Sequence, residues 1–94
     1  MSKEYYRKKI ADKREDIVSL RAKITNLKDE KKRKMESLSN AIKHASTTSS
    51  KASYRTRKIS EATSYINKIE SLKDKIEKIK QEIERDKRSL ANSK

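Results

Sequence analysis

The chain has 94 residues, enough for one domain, and its 27 Lys+Arg against 14 Asp+Glu give a formal charge of +13. Ile, Leu and Val make up about 17% of it, and Gly, Pro, Cys, Trp and Phe are absent. So sparse an apolar set excludes an ordinary globular core and with it a self-contained enzyme, and the lack of Cys excludes a disulfide framework or a thiolate metal site.

No apolar run exceeds two residues, so no membrane span is expected. The opening Met1-Ser2-Lys3-Glu4-Tyr5-Tyr6 has no apolar stretch either. No secretory signal is expected, and a cytoplasmic location is the default. Low hydrophobicity with high charge also marks disordered chains. Periodicity is what separates a long helix from disorder.

In the first half, Tyr6, Ile10, Lys13, Ile17, Leu20, Ile24 and Leu27 recur at alternating steps of four and three. This is the spacing of the a and d positions of a heptad. Six consecutive charges follow, Asp29-Glu30-Lys31-Lys32-Arg33-Lys34, and the stripe resumes at Met35, Leu38, Ile42 and Ala45. The path from Leu27 through Lys31 to Met35 adds a step of four, a stutter that unwinds a supercoil and sets Lys31 on the seam. A first helix is predicted over about 3–46.

The middle, Ala45-Ser46-Thr47-Thr48-Ser49-Ser50-Lys51-Ala52-Ser53, is polar. Ser and Thr hydroxyls compete for helical hydrogen bonds and favour caps and turns. A turn is predicted at about 47–51, with Ser49 or Ser50 capping a second helix over about 52–92. In that helix Ala62, Tyr65, Ile69, Leu72, Ile76, Ile79, Ile83, Asp86 and Leu90 keep an unbroken a/d register. Ile59 and Ile66 flank the seam and widen it, which suits more than two packed helices. Glu4–Lys8, Glu30–Lys34, Asp74–Lys78 and Glu84–Arg88 are i,i+4 pairs in the favoured order, each adding about 0.2–0.5 kcal/mol to a helix.

The two stripes mirror each other about Thr48. A turn there sets Leu27 against Ile69, Ile24 against Leu72, Leu20 against Ile76, Ile17 against Ile79, Met35 against Ala62 and Leu38 against Ile59. Lys13 falls near Asp86, a polar layer able to pin the register. The fold class is therefore all-α: a long antiparallel helical hairpin, or coiled coil. Self-association into a bundle is expected because two helices bury each stripe on one side only. The alternative is one continuous helix about 140 Å long, which the missing turn glycine leaves open. The expected oligomerisation seam is Ile10, Ile17, Leu20, Ile24, Leu27, Leu38, Ile69, Leu72, Ile76, Ile79, Ile83 and Leu90.

Basic residues are spread along the chain: 13 with 7 acids in residues 1–36, 4 with none in 37–57, and 10 with 7 in 58–94. A charge excess of this size fits nucleic acid or an acidic surface, or simply a solvated helix face. Lys31, Lys32, Arg33 and Lys34 are the candidate basic patch. Thr47, Thr48, Ser49, Ser50, Tyr54 and Arg55 are a candidate contact tip, weighed against a turn whose hydroxyls satisfy helix ends. His44 stands alone without the Cys or carboxylate cluster that a metal needs. Tyr5, Tyr6, Tyr54 and Tyr65 read as seam or edge residues. No Ser-His-acid set, carboxylate dyad or Gly-rich phosphate loop occurs, so neither catalytic activity nor a cofactor is expected.

The run Thr47-Thr48-Ser49-Ser50-Lys51-Ala52-Ser53-Tyr54-Arg55-Thr56-Arg57-Lys58-Ile59-Ser60-Glu61, followed by the heptads from Ile69 to Ile76, resembles the N-terminal coiled-coil region ahead of the TIR domain (Toll/interleukin receptor type) in some bacterial TIR proteins. The opening Tyr6-Arg7-Lys8-Lys9-Ile10-Ala11-Asp12-Lys13-Arg14 looks like the start of such regions. The resemblance spans nearly the whole chain, with the Ser/Thr run as its most specific part. It implies bacterial antiphage immunity and a coiled coil that gathers NAD-consuming effector domains. No TIR catalytic residue has a counterpart here, so only the assembly role carries over.

The expected function is a non-catalytic scaffold that clusters or regulates an attached or partner effector, with partners being further copies of itself and the effector. One alternative is a basic helical protein binding the phosphate backbone of nucleic acid. Another is a secreted hairpin of the WXG type, although the Trp-x-Gly turn and a Tyr-x-x-x-Asp/Glu export signature are both missing.

Overall fold

The computed structural model describes residues 2–93 and folds them into two helices, α1 (Lys3–His44) and α2 (Thr48–Ala91). Their connection is Ala45-Ser46-Thr47. The continuous-helix alternative is thereby corrected: the chain leaves the helix after His44 and starts a second one three residues later. No described residue has a positive φ. The reversal runs entirely through backbone conformations open to any residue, and this is why it needs no glycine.

Hydroxyls start both helices. The Ser2 Oγ accepts the Tyr5 N–H at 3.3 Å. The Thr47 Oγ1 accepts the Ser50 N–H at 3.0 Å and donates to the Ser50 Oγ at 2.8 Å, while the Thr47 carbonyl accepts the Lys51 N–H at 3.1 Å. Thr47 is the cap, and Ser50 is its partner three residues on. This corrects the expected cap at Ser49 or Ser50 and the expected turn at 47–51. With the Ser50 N–H met by the Thr47 hydroxyl and the Lys51 N–H by its carbonyl, the Ser/Thr run becomes the first turn of α2 instead of a loop.

Two compact units make up the fold, each an antiparallel pair of helical segments. One joins α1 through Lys23 with α2 from Ser71. Ile10, Ile17, Ile76 and Ile83 are buried there, with Leu20, Leu72, Ile79 and Leu90 half-buried beside them. The other runs from Ile24 through the connection to Glu70. It buries Ile24, Leu38 and Ile69, with Leu27, Met35, Ile42, Ala62 and Tyr65 half-buried.

The second unit departs from the mirror pairing. Leu38 is buried, but Ile59 is 70% exposed and is no partner for it. The inward positions of this stretch of α2 go instead to Lys51, Tyr54, Lys58, Glu61, Ala62 and Tyr65, all half-buried. Long polar side chains fill that seam with their stems and keep their charges in water. On α1, Lys31 is half-buried as expected, and then both members of Lys34/Met35 and of Ala41/Ile42 are half-buried. The seam widens there where a stutter was expected to shift it.

Every residue expected to form the oligomerisation seam is buried or half-buried within this single chain. Once the chain turns at 45–47, the two stripes are tethered to each other and pack within one chain, while Leu20, Leu27, Leu72, Ile79 and Leu90 keep part of their surface exposed.

Two outcomes follow from this packing. Replacing both Ile76 and Ile79 with Asp places unpaired charge in the seam and costs about 4 kcal/mol or more, so the helical circular dichroism signal collapses. A fully helical double variant with wild-type melting would contradict an internal seam. Thr47→Ala removes the cap and costs about 1 kcal/mol, lowering the melting temperature by several degrees, whereas Ser49→Ala leaves melting within error.

Candidate functional site

Helical geometry disperses the expected basic patch. Successive residues turn by about 100°, so Lys31, Lys32, Arg33 and Lys34 point around nearly the whole circumference of α1. Lys31 and Lys34 are half-buried toward the seam, while Lys32 and Arg33 are exposed. The four do not form one face. Of the expected contact tip, Thr47, Thr48, Ser49, Ser50 and Arg55 are exposed and Tyr54 is half-buried, with Thr47 and Ser50 bonded to each other in the cap.

The unit containing both chain ends holds the one buried charge among the described residues. Asp86, 7% exposed, accepts a hydrogen bond and ion pair from Lys13 Nζ at 2.5 Å, with Lys9 Nζ at 3.6 Å. Lys13 also reaches Glu82 at 3.8 Å. The Lys13 hydrogen bond holds the Asp86 carboxyl below its ordinary value of 3.8, against a smaller opposing push from burial, and the positive charges of Lys13 and Lys9 add to the lowering. Lys9 in turn lies 5.2 Å from the centre of the Tyr5 ring, which meets Tyr6 edge to face. A polar a/d layer of this kind fixes which turn of α1 meets which turn of α2.

Beside this layer, Arg14, Arg21, Lys80 and Lys87 rim an open groove floored by Ile17, Val18 and Ile83. Glu84 is the acid on that rim and pairs with Lys87 at 3.2 Å. Val18 is 66% exposed within that basic surround.

The turn-containing unit presents a different surface. On α2, Ser49, Ala52, Ser53, Thr56, Ile59, Ser60, Thr63, Ser64, Ile66 and Asn67 are all exposed. At about 100° per residue they share one sector, roughly 160° wide, that holds no charged residue over 48–69. In a chain that is 44% charged, this is an exceptional stretch of surface. Along one side of it Ala52, Thr56, Ile59, Thr63 and Ile66 step by four and three, the a/d spacing again. The Thr56 hydroxyl donates to the Ala52 carbonyl at 3.1 Å, and the Thr63 hydroxyl to the Ile59 carbonyl at 2.9 Å. Both hydroxyls are satisfied by their own helix. Ile59 also borders a groove with Ile42 and Ser39 of α1 and with Arg55 and Lys58 of α2.

The stronger aliphatic seam masks this second stripe in the sequence. Ile59 and Ile66 were visible as flanking residues, but the stripe is short, rich in Thr and Ala, and lies between stronger aliphatic positions. The available signal was the absence of charge over a helical sector.

Among the described residues no group of three or more His, Asp or Glu gathers as metal ligands, and no helix is long and apolar enough to cross a membrane. Comparison with protein-family models, curated proteins and solved structures gives no match.

The Asp86 layer makes a pH prediction. Because the folded carboxyl titrates below the unfolded one, its stabilisation is fully present above the ordinary aspartate range. It is lost as pH falls from about 4 through the lowered folded value. Asp86→Asn is expected to cost about 1–3 kcal/mol at pH 7 and to flatten the melting-temperature decline between pH 5 and about pH 2. An unchanged acid limb in the variant would remove Asp86 from the account.

Proposed function

We propose that this chain is a non-catalytic helical hairpin that self-associates and thereby clusters an attached or partner effector. One observation carries the reading: the strong aliphatic seam is used inside the hairpin, while α2 keeps a second, uncharged a/d stripe exposed to solvent. Solvated helix faces are ordinarily covered with charge, as the rest of this chain is. A face kept free of charge is suited to meeting another helix. The resemblance of the Ser/Thr run and its following heptads to TIR-associated coiled coils supports a TIR-type, NAD-consuming effector in antiphage defence as the cargo. Clustering would act by raising the local concentration of effector domains.

Size-exclusion chromatography with light scattering, recorded at protein and nucleic-acid wavelengths together, tests the reading. A mass above the 11.0 kDa of one chain, growing with concentration and free of nucleic acid, is expected. A single-chain mass at every concentration overturns it.

A second reading draws on the acid-free stretch 37–57, which spans the end of α1, the connection and the start of α2. Lys43, Lys51, Arg55 and Arg57 there suit the phosphate backbone of a nucleic acid, whose binding would weaken steeply with salt. A particle carrying nucleic acid in the same experiment favours this reading. The hairpin architecture supports the WXG-type alternative as well, against which stands a sequence with neither Trp nor Gly.

A further inference from the structure

We propose that the basic groove between α1 and α2, in the unit with both chain ends, docks an acidic amphipathic helix of a partner protein. This groove is separate from the uncharged face of α2, and its occupation does not depend on self-association.

Heptad spacing sets the cations of this groove in two rows. On α1, Arg14 and Arg21 lie four residues after the buried Ile10 and Ile17, and Arg7 continues the row. On α2, Lys73, Lys80 and Lys87 lie four residues after the buried Ile69, Ile76 and Ile83. All six cations are exposed and hold the same heptad position, e, on the two helices. In an antiparallel pair the e positions of both helices line one edge of the seam, and Arg14, Arg21, Lys80 and Lys87 do border one groove.

The two edges of the seam differ in charge. Toward the other edge, cations of α1 meet acids of α2: Lys9 with Asp86 at 3.6 Å and Lys13 with Glu82 at 3.8 Å. Along the groove, arginines of α1 share an edge with lysines of α2. Glu84, paired with Lys87, is the one acid that borders it. Glu4 and Glu77 are the other acids beside these rows, so six cations meet three acids. Gathering like charge along one edge is unfavourable for the hairpin by itself, and an anionic occupant relieves it.

Sign, floor and repeat choose the occupant. A second copy, at +13, is repelled. The floor is apolar, with Val18 66% exposed, and the walls are methylene stems up to their charged heads. A helix has an apolar stripe to lay on that floor, whereas a phosphate backbone has none. The cations recur every seven residues on both walls, about 10.5 Å along the axis. A helix with an apolar a/d stripe and acids at e and g repeats by the same length and presents an acid row to each wall.

Fluorescence anisotropy with a labelled three-heptad peptide, Leu at a and d and Glu at e and g, tests the groove. The full chain should bind it in the micromolar range, more weakly as salt rises. The double variant Arg14→Gln/Lys80→Gln should keep the wild-type helicity and lose at least tenfold in affinity. Arg55→Gln/Arg57→Gln removes the same charge from exposed positions in the other unit and should bind as wild type does. Equal loss in the two double variants assigns binding to overall charge and overturns the site. So does equal binding of the peptide with Gln in place of Glu, or no binding of the Glu peptide at low salt. Oligothymidylate bound as tightly as the peptide, and equally dependent on Arg14 and Lys80, makes the groove a phosphate site and overturns the helix as its occupant.

Discussion

Aliphatic burial along one narrow seam is the interaction on which this molecule depends. One unit buries Ile10, Ile17, Ile76 and Ile83, seven residues apart on each helix, and the other buries Ile24, Leu38 and Ile69. Each such side chain taken out of water contributes on the order of 1.5–3 kcal/mol. The composition provides few of them, so nearly all sit on one narrow seam. The remaining positions are left to charge, to hydroxyls and to the short second stripe on α2.

That scarcity shapes the two units differently. In the unit with both chain ends, aliphatic layers alternate with the Lys13–Asp86 pair, and a misregistered pairing would leave a carboxylate against isoleucine. In the unit with the turn, lysine stems, two tyrosines and an alanine take the inward places of α2. Aliphatic side chains not used inward, Ile59 above all, face solvent there. The unit with the less aliphatic seam is therefore also the one with an apolar face to offer a partner.

The charged side chains radiate from two helices, and the two grooves described above are open to solvent. What the surface does offer is contrast: a helical sector without charge beside dense positive charge. Contrast of this kind favours approach where like charge is absent.

The all-α hairpin and the antiparallel pairing of Lys13 with Asp86 were legible in the sequence, because a/d spacing and charge complementarity are local rules written residue by residue. The cap was not: Thr47, Ser49 and Ser50 carry the same hydroxyl chemistry, and only the backbone path decides which one meets a free N–H group. The exposure of Ile59 was not legible either, since the mirrored stripes set it against Leu38. Sequence alone determined that this chain forms helices with an aliphatic stripe and a large positive charge. The tertiary structure decided that Thr47 caps α2 and that Ile59 and Ile66 are left outside, because the turn brings two inward faces together and a helix has only one side to give them.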